Sequence, residues 1–473
     1  MLAPGSARTV GGFCGSGSTS PSKPAAIVLV PSQLLEKREM RTRMRFLADV
    51  CCLRPLVSWE RYVLVGSFLA ASVALLAEPI VPELFGHGKG MDYLQWFSAG
   101  QRMLRGGPTY LVAEGHLGFL YTPFAALLMA IPSYFGKTAL VVTLACGTLA
   151  SWWIAICLAN RLAGNGDRLS PWSVALPVVV TLPFVYDQFH LGQPNLFLLT
   201  LMLGGFLLLR ADRGWLAGLP FAAAAAIKAF PVMIVPYLLW RRQWRTAASM
   251  AAFMMLFLVV LPGTIRGFER NLNELDFWVH EMLLSGDDRE FAQRADTFSW
   301  KNQSLYAVEH RLLRPVDAES ITDRKSPPLY VNLLNLDYRT VNKIYWATAI
   351  VIGLIFVAAL PAYSRRSPRS DAAEWGILLL LIVIATPLVR SYYYIWLLFP
   401  YTVLAHRLAS EPDRRLARAT IAAIGFSVVL LISGINVIQP RYPQAAGNFV
   451  WAAIVVALIL AVHMRRDALP SKG

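Results

Sequence analysis

Along this chain apolar residues come in long blocks, and the connections between them are short and rich in Arg. Blocks of this kind, with few charges inside, predict membrane-crossing helices rather than the alternating pattern of a soluble fold. The first block, 62–77, is followed by a polar stretch, Gly90-Met91-Asp92-Tyr93-Leu94-Gln95-Trp96-Phe97-Ser98-Ala99-Gly100-Gln101-Arg102, with the pattern of an amphipathic helix. Gly106-Gly107-Pro108-Thr109-Tyr110 comes next. Later blocks at 247–261, 341–362, 375–389, 392–404, 421–437 and 449–462 alternate in direction. The pattern predicts an all-α polytopic membrane protein of about twelve spans with both termini on one side. Its first loop, about 78–136, carries interfacial helices and faces the same side as the long polar loop 263–340.

Two segments decide the topology. If 121–135 crossed the membrane, the loops holding Arg161 with Arg168 and Arg210 with Arg213 would both lie outside, against the positive-inside rule. We therefore read 121–135 as lying in the interface. Residues 215–240 must then cross twice, in halves of about a dozen residues or roughly 20 Å each. That is short against a hydrocarbon core of about 30 Å, and such halves are tolerated only around a water-filled cavity. Ile227-Lys228-Ala229-Phe230-Pro231 supplies the break and puts Lys228 at the tip, on the side of Asp92. In one straight helix Lys228 would sit near the bilayer centre, at a cost of at least ~2.5 kcal/mol.

Composition agrees with this class. Of 473 residues 56% are hydrophobic and only 15% charged. The formal net charge of +15 is distributed as short clusters between apolar runs, which is the positive-inside signal and not the footprint of a nucleic-acid partner. Residues 1–58 are rich in Gly, Ser, Pro and Ala and end in a basic run, so they read as a disordered cytoplasmic segment. Residues 59–464 form the transmembrane domain, and 465–473 a cytoplasmic tail opening on Arg465-Arg466. The cysteines at 14, 51, 52, 146 and 157 lack metal-ligand spacing, so packing is the only role assigned to them. No metal or other cofactor is expected, and no internal repeat of the transporter kind is visible.

Polar groups that a bundle does not need collect on one side of this topology. They are Asp92, the turn Asp187-Gln188-Phe189-His190-Leu191-Gly192-Gln193-Pro194-Asn195, Lys228, Lys301-Asn302-Gln303-Ser304-Leu305, and Arg390 before Tyr392-Tyr393-Tyr394. A carboxylate, a histidine, amides and cations around one cavity resemble a site for a phosphate-bearing lipid. Plainer readings stand beside this one. Asp92 fits a helix N-cap, and Gly192-Gln193-Pro194-Asn195 is turn chemistry in its own right. Lys228 and Arg390 suit snorkelling, His190 suits a structural role, and Asn302-Gln303-Ser304 fits a glycosylation sequon.

Asp92 with Tyr110, Tyr121-x-Pro123-Phe124, Gly192-Gln193-x-Asn195, Ala217-Gly218 leading to Lys228-x-x-Pro231, and Asn302-Gln303-Ser304-Leu305 follow one another in an order that resembles glycosyltransferase family 87. The likeness covers about residues 60 to 405. It implies a GT-C type helical bundle in the cell membrane that uses a polyprenyl-phosphate sugar, with mannose as the expected sugar. It also implies Asp92 as catalytic base on the extracytoplasmic side and Lys228 near the donor phosphate. Tyr121, His190, Gln193, Asn195, Asn302, Gln303, Arg390 and Tyr393 complete the expected substrate-binding set. Such proteins often carry histidine in a Ser-x-x-His-like stretch, where this chain has Ser391-Tyr392-Tyr393-Tyr394. The acceptor is expected to be a lipid or glycan hydroxyl, attacked with inversion. A transporter or flippase for a lipid-linked sugar would need the same cavity without the base.

Overall fold

In a computed structural model of the chain, the residues described are 58–88, 91–113, 116–117, 119–164, 171–281, 297–319, 327–435 and 441–468. The basic N-terminal segment up to residue 57 lies outside them. Helix α1 (Ser58–Leu84) outlasts the expected first block by about two turns. It is followed by α2 (Met91–Leu104), a two-residue hairpin of β1 (Val112–Ala113) with β2 (His116–Leu117), and α3 (Pro123–Tyr134). Then come α4 (Lys137–Ala163), α5 (Pro171–Leu191), α6 (Asn195–Arg210) and α7 (Gly214–Ile227). A 3-10 turn (Phe230–Ile234) leads into α8 (Val235–Trp240). Helices α9 (Trp244–Met255) and α10 (Leu261–Arg266) are joined into one rod by a π turn (Leu256–Val260). The chain continues through α11 (Phe268–Val279), α12 (Leu305–Leu313), α13 (Tyr338–Ala359) and α14 (Pro368–Ala385). A second 3-10 stretch (Ser391–Leu397) opens α15 (Leu398–Ser410), and α16 (Arg414–Ser433), α17 (Arg441–Ala445) and α18 (Asn448–Ala468) complete the fold.

Seven stretches among the described residues are long and apolar enough to cross a bilayer: α1, α4, α5, the α9–α10 rod, α13, α16 and α18. The other expected spans are helical as well, but short. Helix α7 has 14 residues, about 21 Å at 1.5 Å per residue, and α6 has 16. Of the dozen or so expected spans, these seven have the length and composition to cross; the others are helical but shorter or, in α14, carry charge in their first turns. Helix α13 is only 11% buried within the protein although its residues are apolar, so its surface is suited to lipid.

The basic connections meet at one end. Arg210 donates to the carbonyls of Leu162 (2.7 Å) and Pro368 (3.0 Å), and Arg407 to that of Arg369 (2.7 Å). Arg466 pairs with Glu411 at 2.7 Å. Arg241 reaches the Pro361 carbonyl at 3.1 Å and clasps the fully buried Glu374, which also accepts from the Tyr237 hydroxyl at 2.6 Å. A buried carboxylate is tolerated only when it is paired and bonded in this way.

The residues at the opposite ends of these helices meet Asp92's neighbours. Lys137, at the start of α4, pairs with Glu83 of α1 at 2.8 Å, and Gln101 of α2 donates to Ser133 of α3 at 2.6 Å. Helix α3 therefore lies beside α2, with 12 residues or about 18 Å. Segment 215–240 is a hairpin whose two ends lie at the basic end and whose tip is Lys228. Two apolar clusters hold this arrangement: a large core among the long helices, and an aromatic one of Tyr93, Trp96, Tyr110, Phe119, Tyr121 and Trp278 under α2 and α3.

Candidate active site

Asp92 enters the site from the first turn of α2, where the positive end of the helix favours a carboxylate. Two neighbours fix that turn against the turn between α5 and α6. The Tyr93 hydroxyl donates to the Phe189 carbonyl at 2.7 Å, and the Trp96 indole to the Gly192 carbonyl at 3.0 Å. Position 192 requires glycine twice over: its φ is +77°, and a Cβ would come within 3.1 Å of the Tyr93 ring. Gln193, the next residue, is the hub. Its amide nitrogen donates to the Asp92 carboxylate, while its oxygen accepts from the Tyr121 hydroxyl at 3.2 Å and from Lys228 at 3.4 Å.

Helix α7 stops at Ile227, Lys228 is extended, and Pro231 lies in the 3-10 turn that follows. This break aims the ammonium into a box of tyrosines, 4.1 Å from the ring centre of Tyr393, 5.4 Å from Tyr121 and 5.8 Å from Tyr392. Tyr393 and Arg390 come from the segment before α15, and Ser391 beside them donates to Asp187 at 3.3 Å. Phe230 packs on Tyr393 and Trp396, with ring centres at 5.2 and 4.9 Å, which joins the hairpin tip to that segment.

Burial raises the pKa of Asp92 from 3.8 to about 6, against the opposing pull of Lys228, the Gln193 hydrogen bond and Arg390. Among the described residues its carboxylate accepts from Gln193 and from no backbone amide of its own helix, so it does not act as an N-cap. No group of three His, Cys, Asp or Glu among those residues is arranged to hold a metal ion.

The expected site residues therefore separate into two sets. Asp92, Gln193, Tyr121, Lys228 and Tyr393 are in mutual contact, with Arg390 in electrostatic reach. His190 faces elsewhere, 2.7 Å from Glu78 and stacked on Tyr186. Asn195 is fully buried, donates to Gln188 at 3.3 Å and accepts from the Trp396 indole at 3.2 Å. Asn302 and Gln303 are fully buried too, and they hold the backbone that leads to Arg390. Asn302 donates to the Pro387 carbonyl at 3.0 Å and accepts from the Val389 amide at 3.0 Å, while the Gln303 amide donates to the Val389 carbonyl at 2.6 Å. The side chain of Asn302 is thereby committed and sealed off, and unavailable as a glycan acceptor. Tyr394 is buried, with its hydroxyl on the Gln303 carbonyl at 2.7 Å.

Sequence reasoning missed Glu78, a carboxylate at the end of an apolar block that could have been singled out on that ground. It also missed the clasp in which Glu274 accepts from Arg266 (2.9 Å) and from the Thr109 amide (3.1 Å). Arg266 is only eight residues from Glu274, but Thr109 is 165 residues away, and nothing local announces its part in the clasp. Burial alone would raise the Glu274 carboxyl, but the hydrogen bonds from Arg266 and Thr109 overcome it and hold it below the usual range.

A carboxylate bridged through an amide to a cation, at one end of an apolar helical bundle, suits a membrane-bound group-transfer enzyme. Residues 119–391 match glycosyltransferase family 87, more than half of the chain, and the chain belongs to that family of transferases. No curated protein and no solved structure matches it. Asp92 lies upstream of the matched residues.

Proposed function

We propose that this glycosyltransferase moves a sugar, mannose in the simplest case, from a polyprenyl-phosphate donor to a hydroxyl of a lipid or glycan acceptor on the extracytoplasmic side of the cell membrane. The observation that carries this reading is the placement of Asp92 and Lys228 on either side of Gln193. The base is a carboxylate with a pKa of about 6, so at pH 7 about nine molecules in ten are ionised and the anion is more basic than an ordinary aspartate. The cation makes one hydrogen bond among the described residues and has further N–H donors for an anion.

The acceptor oxygen attacks the anomeric carbon from the face opposite the phosphate. A new C–O bond forms, the bond from the anomeric carbon to the phosphate oxygen breaks, and the acceptor proton passes to Asp92. The configuration inverts, and polyprenyl phosphate leaves with the bonding electrons. Lys228 and Arg390 neutralise the charge that grows on that phosphate. Phosphate is already a stable leaving group, so the residues named suffice for the step as written. Gln193 orients Asp92, and Tyr121 fixes Gln193.

The test is turnover of a radiolabelled polyprenyl-phosphate mannose by the purified full-length protein, with Asp92→Asn as control. Labelled product from wild type and none from the variant is expected. A variant keeping more than about a tenth of wild-type activity rules out the base, because such a group contributes about 10²-fold or more.

A further inference from the structure

A concavity of about 460 Å³ opens between the Gly106–Tyr110 turn and α11. Its size falls in the range of about 300–1,000 Å³ usual for small-molecule sites. One wall is aromatic, with the rings of Tyr110 and Phe277 centred 5.6 Å apart. The other is polar. Glu269 and Asn273, one turn apart on α11, are exposed at the rim and make no hydrogen bond or ion pair among the described residues.

The frame behind these walls is densely hydrogen-bonded and adjoins Tyr121 of the Asp92 cluster. Arg270 donates to the Gly106 carbonyl, and Glu274 is held by Arg266 and Thr109. The Tyr110 hydroxyl donates to the Tyr121 carbonyl at 2.8 Å, and the Trp278 indole to that of Leu120 at 3.1 Å. Tyr121 is the residue whose hydroxyl reaches Gln193. The rings of Tyr110, Phe119 and Tyr121 follow one another at 6.3 and 5.4 Å. A packed, buried aromatic row thus stands between the concavity and the Asp92 cluster.

The ligand class follows from the chemistry of the walls. Aromatic faces cover the C–H faces of a pyranose ring, and a planar amide beside a carboxylate takes paired hydroxyls. Charge argues against a phosphate here. Arg266 and Arg270 are committed to Glu274 and to the Gly106 carbonyl, and the free rim group is the acidic Glu269. Lys228, by contrast, keeps N–H donors in reserve.

We propose that this cleft binds a neutral sugar ring, as a sugar subsite separate from the Asp92 cluster. Sugar binding here does not depend on the transfer reaction proposed above. A lipid-borne headgroup and a free glycan end present the same ring, so the test carries an arm for each.

Full-length protein in nanodiscs is titrated with the methyl glycosides of glucose, mannose, galactose and N-acetylglucosamine, read by saturation-transfer NMR. Binding of at least one is expected, weakened roughly fivefold or more in Glu269→Ala and in Asn273→Ala and unchanged in Asp92→Asn and Lys228→Met. Both rim side chains are exposed and unbonded, so their variants should melt with wild type. Tighter binding of the octyl glycoside than the methyl one marks a lipid-borne sugar; equal binding marks a free glycan end. The proposal is overturned if none of the four binds wild type, if the double rim variant binds as wild type does, or if Lys228→Met abolishes binding. Absent donor turnover alongside intact, rim-dependent glycoside binding would remove the transfer reaction proposed above and leave the sugar site standing.

Discussion

The Lys228 ammonium stands 4.1 Å from the centre of the Tyr393 ring, at the point where a broken helical hairpin meets the segment before α15. A ring face stabilises a cation without neutralising it, unlike a carboxylate in direct contact. The ammonium is therefore positioned with its N–H groups still open to an incoming anion. Pro231 and the termination of α7 at Ile227 exist to deliver it there.

If Lys228 binds the donor phosphate, Lys228→Met removes a charge-assisted hydrogen bond of about 1.5–3 kcal/mol and weakens donor affinity roughly 10- to 150-fold. Lys228→Arg keeps part of the affinity, since a guanidinium also binds phosphate but with a planar fork. Tyr393→Leu removes the ring face, worth about 0.5–2 kcal/mol, whereas Tyr393→Phe keeps it and should stay near wild type. Equilibrium binding of polyprenyl phosphate to the four variants measures this. A methionine variant that binds as wild type would take Lys228 out of the site.

If Asp92 is the base, it sets the acid side of the pH profile. A base must be unprotonated to act, and its value is about 6, so kcat/KM should fall tenfold per unit as pH drops below about 6. Above pH 7 this group imposes no further change. An acid limb centred near the ordinary aspartate value of 3.8 would contradict the burial that sets this one.

Gln193 should control where that limb lies. Its amide donates to the ionised carboxylate, and a hydrogen bond to a charged group is worth about 1.5–3 kcal/mol, or about 1–2 pH units. Gln193→Leu should therefore move the acid limb upward by about that amount and leave the rate at pH 8–9 closer to wild type than the rate at pH 6. A purely structural glutamine would instead lower activity by the same factor at every pH.

Much of this arrangement can be read from the chain. Apolar blocks give the helices, and the Arg clusters correctly predict that the loops at 161, 210 and 241 share one end, which forces 215–240 into a hairpin with Lys228 at its tip. Asp92, Gln193 and Lys228 stand out because each is polar where a bundle needs only a turn. Hydropathy marks α6 and α7 as apolar, and the charge rule already requires the halves of 215–240 to be short, as α7 is with its 14 residues. Asn195, Asn302 and Gln303 belong to the expected substrate-binding set, and their side-chain amides donate inward, to the Gln188 side chain, the Pro387 carbonyl and the Gln444 carbonyl in turn. A one-dimensional pattern registers that an amide is present but not which way it faces. The part of Thr109 in the Glu274 clasp leaves no sign in the chain, because a pairing across 165 residues has no periodic trace.

Arg311 offers a test of how the far wall is built. It is fully buried and donates to the carbonyls of Ala445, Ser299 and Asn302, each at 2.8 Å, and of Gln444 at 3.2 Å. Through Asn302 it supports the backbone at Pro387 and Val389. Arg311→Met should cost about 3 kcal/mol or more, since it leaves buried carbonyls unpaired, and lower both the melting temperature in detergent and the transfer rate. Arg311→Lys should rescue little, because a single ammonium cannot serve carbonyls arranged around a planar fork. Thermal unfolding of the two variants decides this, and a methionine variant as stable as wild type would show that the clamp carries no weight.

The orientation of the bundle yields the last prediction. Basic loops prefer the cytoplasm, and here they gather at the end opposite Asp92, so the Asp92 end should face outward. Asp276 on α11 reports that end: its side chain is 72% exposed, with His280 alongside. Ala211, exposed in the turn after α6, reports the basic end and is a better probe than Asp212, whose φ of +55° would strain a cysteine. After replacement of the native cysteines, Asp276→Cys in right-side-out vesicles should react with a membrane-impermeant maleimide. Ala211→Cys should react only once the vesicles are permeabilised. The reverse pattern would turn the bundle over and put Asp92, Lys228 and the donor phosphate on the cytoplasmic side. The extracytoplasmic part of the proposed function would then fall, while the chemistry assigned to Asp92 would remain to be judged by its own variant.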